Sequence, residues 1–324
     1  MMAAWEWQGL TYPNPAVGAA AAYKGEIIAI SAHRQAGGPH AEVLLLKECF
    51  LRLSHNTQAK ERLASLEDAA DIHRFLLNHP EPFYRELHIA VTLEPCNHHG
   101  KTPPCAELIE ALKPARLAIG CSDPTPAGGG CARLEAAGVA IVRGVLEDRC
   151  HDLLEPFLRW RGEGFRLFKL AQSLNGVIGG GIISGEASRD YVHRLRERID
   201  LLVVGGETVR CDRPILDARR TGGRPPDLLI YSRHDDFDRT IPLFGVAGRQ
   251  VWIEHELRRL QLAKFAMIEG GGGMLRATRE LVDWYLIFIA PRFMEGLGYH
   301  FSQKCAILHT RRIGDDLMIW ARRI

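Results

Sequence analysis

The stretch LHIAVTLEPCNHHGKTPPCAELIEALKPARLAIGCSDPTPAGGGCARLEAAGVAIV, residues 87–142, decides the fold class. Leu87 to Leu93, Ala115 to Gly120 and Val139 to Val142 are short apolar runs bounded by turn residues, as strands are. Between them, Pro104 to Leu112 and Cys131 to Ala137 carry apolar residues at helical spacing. Pro104 opens the first helix, where a missing N–H costs nothing. Strand and helix alternate, so the class is α/β.

Upstream, Val17 to Tyr23 and Ile27 to Ser31 flank Lys24-Gly25, a hairpin signal, and a helix starts near His40 after Gly37-Gly38-Pro39. From Phe50 to Glu86 the chain is polar, with Leu63, Leu66, Ala70, Leu76 and Leu77 near helical spacing, which predicts a helical excursion on the surface. Downstream, Leu146 to Arg161 is an amphipathic helical run and Gly162-Glu163-Gly164 is the best linker in the chain. Strands are then expected at Leu167 to Ala171, Asp200 to Gly206, Leu228 to Tyr231, Val251 to Glu254, Lys264 to Ile268, Leu286 to Ala290 and Met318 to Arg322. The second half is also α/β, and 324 residues suit two domains. The expected division is 1–145, a linker helix over 146–164, and 165–324.

With 41 Lys+Arg, 39 Asp+Glu and 46% hydrophobic residues, the chain has the composition of an ordinary globular protein, and a formal +2 shows no basic footprint for nucleic acid. No apolar run reaches the roughly 18 to 20 residues of a membrane span, and the start MMAAWEWQGL lacks the marks of a signal peptide. The expectation is a cytoplasmic protein whose eight cysteines are thiols or metal ligands.

The most specific feature is His40-Ala41-Glu42 followed by Pro95-Cys96 and Pro104-Cys105. One His, two Cys and an unattached carboxylate are the parts of a hydrolytic zinc deaminase. Two thiolates and an imidazole nearly cancel the charge of Zn²⁺, and three protein ligands leave the fourth position for water. Glu42 would carry protons from that water to the ring and the leaving ammonia. Each Cys follows proline at an expected helix start, where free amides favour a thiolate. A closed structural site would need a fourth ligand, and His98 and His99 stand between the cysteines.

TYPNPAVG (Thr11 to Gly18), His33, AGGPHAE (Ala36 to Glu42), TLEPCNHHGKTPPC (Thr92 to Cys105) and CSDPTP (Cys121 to Pro126) together resemble the bifunctional deaminase/reductase family of riboflavin biosynthesis. Generic nucleoside deaminases have two residues between the cysteines; the eight here, ending in TPPC, mark the riboflavin enzymes. The resemblance implies a cytidine-deaminase-like three-layer domain with zinc on His40, Cys96 and Cys105 and with Glu42 as proton shuttle. It also implies a pyrimidine ribosyl phosphate site lined by Asn14, His33, Lys101 and Asp123. The family usually has Asn at Thr125 and a longer loop than Ala127 to Gly130, and the segment from Phe50 to Glu86 is an insertion.

In the second half, FKLAQSLNG from Phe168, HRLR (His193 to Arg196), VGGETV (Val204 to Val209), DRPIL (Asp212 to Leu216) and the glycines after Glu269 resemble the family's reductase domain, whose fold is like dihydrofolate reductase. By this resemblance Ala171, Thr208, Asp212, Ser232 and Gly271, Gly272, Gly273, Met274 and Leu275 take NADPH. Lys169, Arg196, Leu216, Arg219 and Glu269 take the substrate, with Lys169 and Glu269 catalytic. Asn175 stands where the family has aspartate, and Gly180 and Ile182-Ile183-Ser184 replace its SxWIT motif. Those losses leave a second reading open: a deaminase whose second domain serves binding or assembly. The expected partners are a small phosphorylated pyrimidine and further copies of the chain, with neither nucleic acid nor membrane.

Overall fold

The computed structural model describes residues 1–296 and 298–324. The chain divides into two compact units, Met1–Phe157 and Leu158–Ile324. The first contains α1 (Met2–Trp5), β1 (Gly18–Tyr23), β2 (Glu26–Ala32), α2 (Ala41–Leu53), α3 (Thr57–Ala64), α4 (Ala69–Asn78), β3 (His88–Leu93), α5 (Cys105–Leu112), β4 (Arg116–Cys121), α6 (Gly130–Ala136) and β5 (Ile141–Val142). Helix α7 (Glu147–Arg161) carries the chain into the second unit. The sheet order is β2-β1-β3-β4-β5, antiparallel through β1 and parallel from β3 to β5. The parallel pairs arise because α5 and α6 carry the chain back across the sheet.

The segment after Phe50 is helical, as its spacing predicts, but it is not a surface excursion. Leu63, Ile72, Leu76 and Tyr84 are at most 1% exposed and share one apolar cluster with Leu45 of α2 and Leu108 of α5. Lys47 of α2 donates to the Leu66 carbonyl at 2.6 Å, and His73 of α4 lies 3.3 Å from the Pro104 carbonyl that precedes α5. Helical spacing reveals which residues lie on one face, but not what covers that face.

The second unit contains β6 (Phe165–Ser173), α8 (Glu186–Arg198), β7 (Leu201–Gly205), α9 (Gly206–Asp212), β8 (Asp227–Tyr231), β9 (Val251–Glu254), α10 (Arg258–Leu262), β10 (Phe265–Glu269), α11 (Gly272–Ala277), β11 (Trp284–Ala290), β12 (Cys305–Ile313) and β13 (Asp316–Arg323). Its sheet order is β12-β13-β11-β6-β10-β7-β8-β9. From β11 to β9 all pairs are parallel, whereas β13 is antiparallel to both its neighbours. Central strands such as β7 and β10 are buried in unbroken runs, the mark of a sheet covered on both faces. The expected linker at Gly162 to Gly164 lies one turn beyond the division at Phe157. The last turn of α7 already belongs to the second unit, since Trp160 packs on Phe265 at 5.5 Å and Arg159 pairs with Asp283 at 2.8 Å. No helix among the described residues is long and apolar enough to cross a membrane.

Leu76→Ala in the inserted helix α4 is expected to destabilise the first unit by about 2–5 kcal/mol, as core truncations do. The exposed Arg74→Ala should stay within roughly 0.5 kcal/mol. Denaturant midpoints of the two variants decide between a core and a surface role.

Candidate active sites

In the first unit the Nδ1 atom of His40 lies 3.5 Å from Cys96 Sγ and 3.3 Å from Cys105 Sγ. His40 caps α2, Cys105 is the first residue of α5, and Cys96 lies in the loop after β3. Only Cys105 is therefore at a helix start, contrary to the expectation for both cysteines. The same helix start nevertheless serves Cys96, because the Cys105 amide donates to Cys96 Sγ at 3.3 Å. Hydrogen bonding from Cys105 and the neighbouring His40 hold the Cys96 thiol below its ordinary value.

These three donors form one cluster with ligand atoms within 4.8 Å of one another. A tetrahedral zinc with bonds of about 2.05 Å to nitrogen and about 2.3 Å to sulfur needs N···S edges of about 3.6 Å, close to the spacing of these donors, so their chemistry and spacing fit zinc. His98 and His99 are exposed, and neither joins the three donors that the cluster offers among the described residues. His40 Nε2 faces Thr102 Oγ1 at 3.2 Å, an arrangement that fixes the ring with Nδ1 toward the sulfurs. Thr102 was not singled out in the sequence, because its partner is a ring 62 positions away.

Glu42, in the first turn of α2, is 5% exposed. Burial pushes its carboxyl up to about 7 despite the nearby His40. Beside it, His33 is wedged between the Pro39 carbonyl at 3.0 Å and Asn14 Nδ2 at 3.1 Å. Its ring lies 5.3 Å from that of His40, and burial, with His40 adding to it, lowers His33 to about 4. Asn14 and His33 are thus brought to the three-donor cluster. Lys101 is exposed on the loop between Cys96 and Cys105.

Asp123 is carried by a turn that Glu94 organises: the carboxylate of Glu94 accepts from the amides of Asp123, Gly129 and Cys131 at 3.1, 3.1 and 2.9 Å. Burial raises Glu94, but these amides outweigh it and hold it below the usual range. The short glycine loop has a steric reason, since a Cβ on Gly130 would sit 2.0 Å from the Pro95 carbonyl oxygen. Thr125 closes the turn by accepting from the Ala127 amide at 3.2 Å.

In the second unit Lys169 and Glu269 are register partners on β6 and β10, with Lys169 Nζ 3.9 Å from Glu269 Oε2. Arg196 of α8 grips the same carboxylate through Nε at 3.1 Å and Nη2 at 2.9 and 3.0 Å. Burial raises Glu269, and Arg196 and then Lys169 more than reverse it; burial lowers Lys169. Asp217, not foreseen from the sequence, links the next residues: its carbonyl accepts from Arg196 at 3.3 Å and its carboxylate from Arg219 at 2.6 Å. Leu216 precedes it with φ of 57°.

The positions expected to take a cofactor gather at the carboxyl ends of parallel strands, the usual ligand edge of such sheets. Ala171 is on β6, Thr208 on α9 after β7, Ser232 just after β8, and Gly271 to Gly273 follow β10. A Cβ on Gly206 would fall 2.6 Å from Ser232 Oγ, so two of these strand ends are in close contact. Gly273 has open space where a Cβ would point, leaving room for a ligand against the main chain. Met274 and Leu275 turn their side chains into the core, at 6% and 3% exposure, and offer only backbone. Asp212 is exposed at the end of α9. The residues present thus fit a dinucleotide through their strand ends and glycine turn. Asn175 makes a clasp that aspartate could not complete, donating to the Met294 carbonyl at 2.8 Å and accepting from the Met294 amide at 3.1 Å.

Residues 1–121 match the family model described as the cytidine and deoxycytidylate deaminase zinc-binding region, and residues 167–319 match the RibD C-terminal domain. The chain is 33% identical to the riboflavin biosynthesis protein RibD of Corynebacterium ammoniagenes over 92% of this chain and 86% of that one. It is 35% identical to RibD of Chlamydia trachomatis over 88% and 81%. Against the Synechocystis RibD, at 33% identity, the match covers 70% of this chain and 56% of that protein. The solved Acinetobacter baumannii RibD superposes with a TM-score of 0.62 at 22% identity, covering 100% of this chain and 96% of that one. Fold and site define a two-unit α/β protein that couples a zinc-binding deaminase-type unit to a RibD C-terminal unit. The chain belongs to the RibD family.

Thr102→Val is expected to leave the fold intact and weaken zinc binding about 10- to 100-fold, the usual effect of removing such a partner. Competition with a chromophoric chelator measures it, and unchanged zinc retention would refute the role of Thr102.

Proposed function

We propose that the chain is a bifunctional enzyme of riboflavin biosynthesis, acting in the cytoplasm, where its free cysteines stay reduced. The observation that carries this reading is the presence in one chain of a three-donor cluster beside Glu42 and a cluster of Lys169, Glu269 and Arg196 drawn from two adjacent strands and a helix.

The first activity is hydrolytic removal of the 2-amino group from 2,5-diamino-6-ribosylamino-4(3H)-pyrimidinone 5′-phosphate. His40, Cys96 and Cys105 would hold zinc, which when bound supplies the Lewis acidity that makes water nucleophilic near neutral pH. Glu42 accepts a proton from the water that adds to C2 and passes it to the ring nitrogen. It then moves the second proton to the departing amine, so that ammonia leaves and a C2 carbonyl remains. Glu42 lies in the first turn of α2, two residues from His40, where it can reach a water at the metal cluster. Asn14, its amide N–H engaged by His33, has its oxygen to offer a ring N–H. Lys101 and Asp123 meet the phosphate and hydroxyl groups of the ribosyl phosphate.

The second activity is reduction of 5-amino-6-(5-phosphoribosylamino)uracil to the ribityl product. NADPH, when bound along Ala171, Thr208, Asp212, Ser232 and Gly271 to Leu275, supplies the hydride that C1′ accepts. As the bond from C1′ to the ring oxygen breaks, Lys169 Nζ gives that oxygen its proton. Glu269 keeps the ammonium in place, while the burial of Lys169, with Arg196 nearby, outweighs Glu269 and lets Lys169 release a proton more readily than a surface lysine. Arg196 and Arg219, with the Leu216 main chain, hold the sugar phosphate, the planar guanidinium matching its oxygens.

One coupled assay tests both steps, following ammonia release and NADPH oxidation on the same substrate. Glu42→Gln should retain zinc and lose ammonia release by about 10²–10⁴-fold. Lys169→Ala should release ammonia normally and oxidise no NADPH. Zinc-loaded protein that yields no ammonia refutes the first activity, and ammonia without any NADPH oxidation in the unmutated protein refutes the second.

A further inference from the structure

Arg249 lies just before β9 and outside every motif that the sequence singles out. Its guanidinium binds main-chain carbonyls: Nη1 donates to Leu216 at 2.6 Å, and Nη2 donates to Ile215 at 2.9 Å and to Leu243 at 2.6 Å. The Leu243 amide in turn donates to the Pro214 carbonyl at 3.1 Å, so the loop from Pro214 to Leu216 is tied down from both sides. Leu216, with φ of 57°, occupies the left-handed region that a residue with a Cβ adopts only when its surroundings impose it. Asp217 follows, joined through its carbonyl to Arg196 and through its carboxylate to Arg219. Arg249 thus fixes the backbone from which Leu216 and Arg219 hang, without being one of the residues that meet the ligand.

We propose that Arg249 is a positioning residue for the ribosyl phosphate site of the second unit, holding Leu216 in its left-handed conformation and thereby setting the placement of Arg219. The proposal rests on the reductase reading of that unit. Arginine suits the task because its planar fork presents several donors at fixed angles, enough to reach three carbonyls at once. Lysine, with one nitrogen on a flexible stem, reaches fewer of them, and methionine reaches none. Burial lowers Arg249 to about 10, which leaves it a cation at neutral pH.

The test uses the full chain and the variants Arg249→Lys and Arg249→Met. With the deaminated substrate, Arg249→Met is expected to raise KM about tenfold or more while kcat stays within about threefold, the split that marks lost ground-state binding. Arg249→Lys should fall between this variant and the unmutated protein. The NADPH Kd, read by fluorescence titration, and ammonia release should not change. Limited trypsin digestion supplies a second readout, since a released loop should be nicked faster after Arg213, Arg219 or Arg220. A folded Arg249→Met with unaltered KM overturns the proposal, as does an equal loss of NADPH affinity. If the Met variant does not fold, the Lys variant carries the same comparison. If the unmutated protein oxidises no NADPH, the reductase reading fails by itself; faster nicking of the variant then supports the latch and an unchanged rate overturns it.

Discussion

A carboxylate taken out of water is tolerated only where charged or amide donors replace its hydration, and that requirement arranges the loops of both units. In the first, Glu94 at the end of β3 draws in the amides of Asp123, Gly129 and Cys131, which come from the turn after β4 and the start of α6. One side chain thereby anchors the whole segment that bears Asp123. In the second, Glu269 gathers Arg196 from α8 and Lys169 from β6. An amide in either place would set its own N–H groups against those donors, so glutamine cannot substitute without loss.

The same physics sends buried carboxylates in opposite directions. Glu94 and Glu269 are both held below the ordinary range, because the donors around each outweigh the cost of burial. Glu42 is buried just as deeply but lies beside thiols and a single histidine, and its carboxyl rises to about 7. Chemically identical groups are pushed apart in this way by what surrounds them. Glu94 and Glu42 belong to one unit, and the oxygens of Glu94 meet three main-chain amides.

Much of this was legible in the sequence. The strands β1 to β5 and the helices bearing His40 and Cys105 follow from apolar runs and turn residues, because those patterns are local. Strand β12, CAILHTRRI, is not announced, since an edge strand pairs on one side only and exposes Thr310 and Arg312 among its apolar residues. Spacing between Cys96 and Cys105 implied the metal cluster, yet it did not reveal Thr102, Glu94, Asp217 or Arg249. Those residues act on groups brought near by the fold, often main-chain atoms that have no identity in a sequence. The depth of the inserted helices was hidden for a related reason: Leu63 and Leu76 mark an apolar face, while the partners that bury it come from α2 and α5.

The segment after Gly176 and the Lys169–Arg196–Glu269 cluster are held by separate contacts. The backbone of the segment has partners of its own: Arg292 donates to the carbonyls of Ile182 and Ile183, and Asn175 clasps both sides of Met294. The segment is therefore a settled conformation and not a torn edge. Lys169, Arg196 and Glu269 stand on β6, α8 and β10, and their mutual contacts run between those three elements. The placement of the cluster is therefore set by the sheet and by α8, independently of the segment after Gly176.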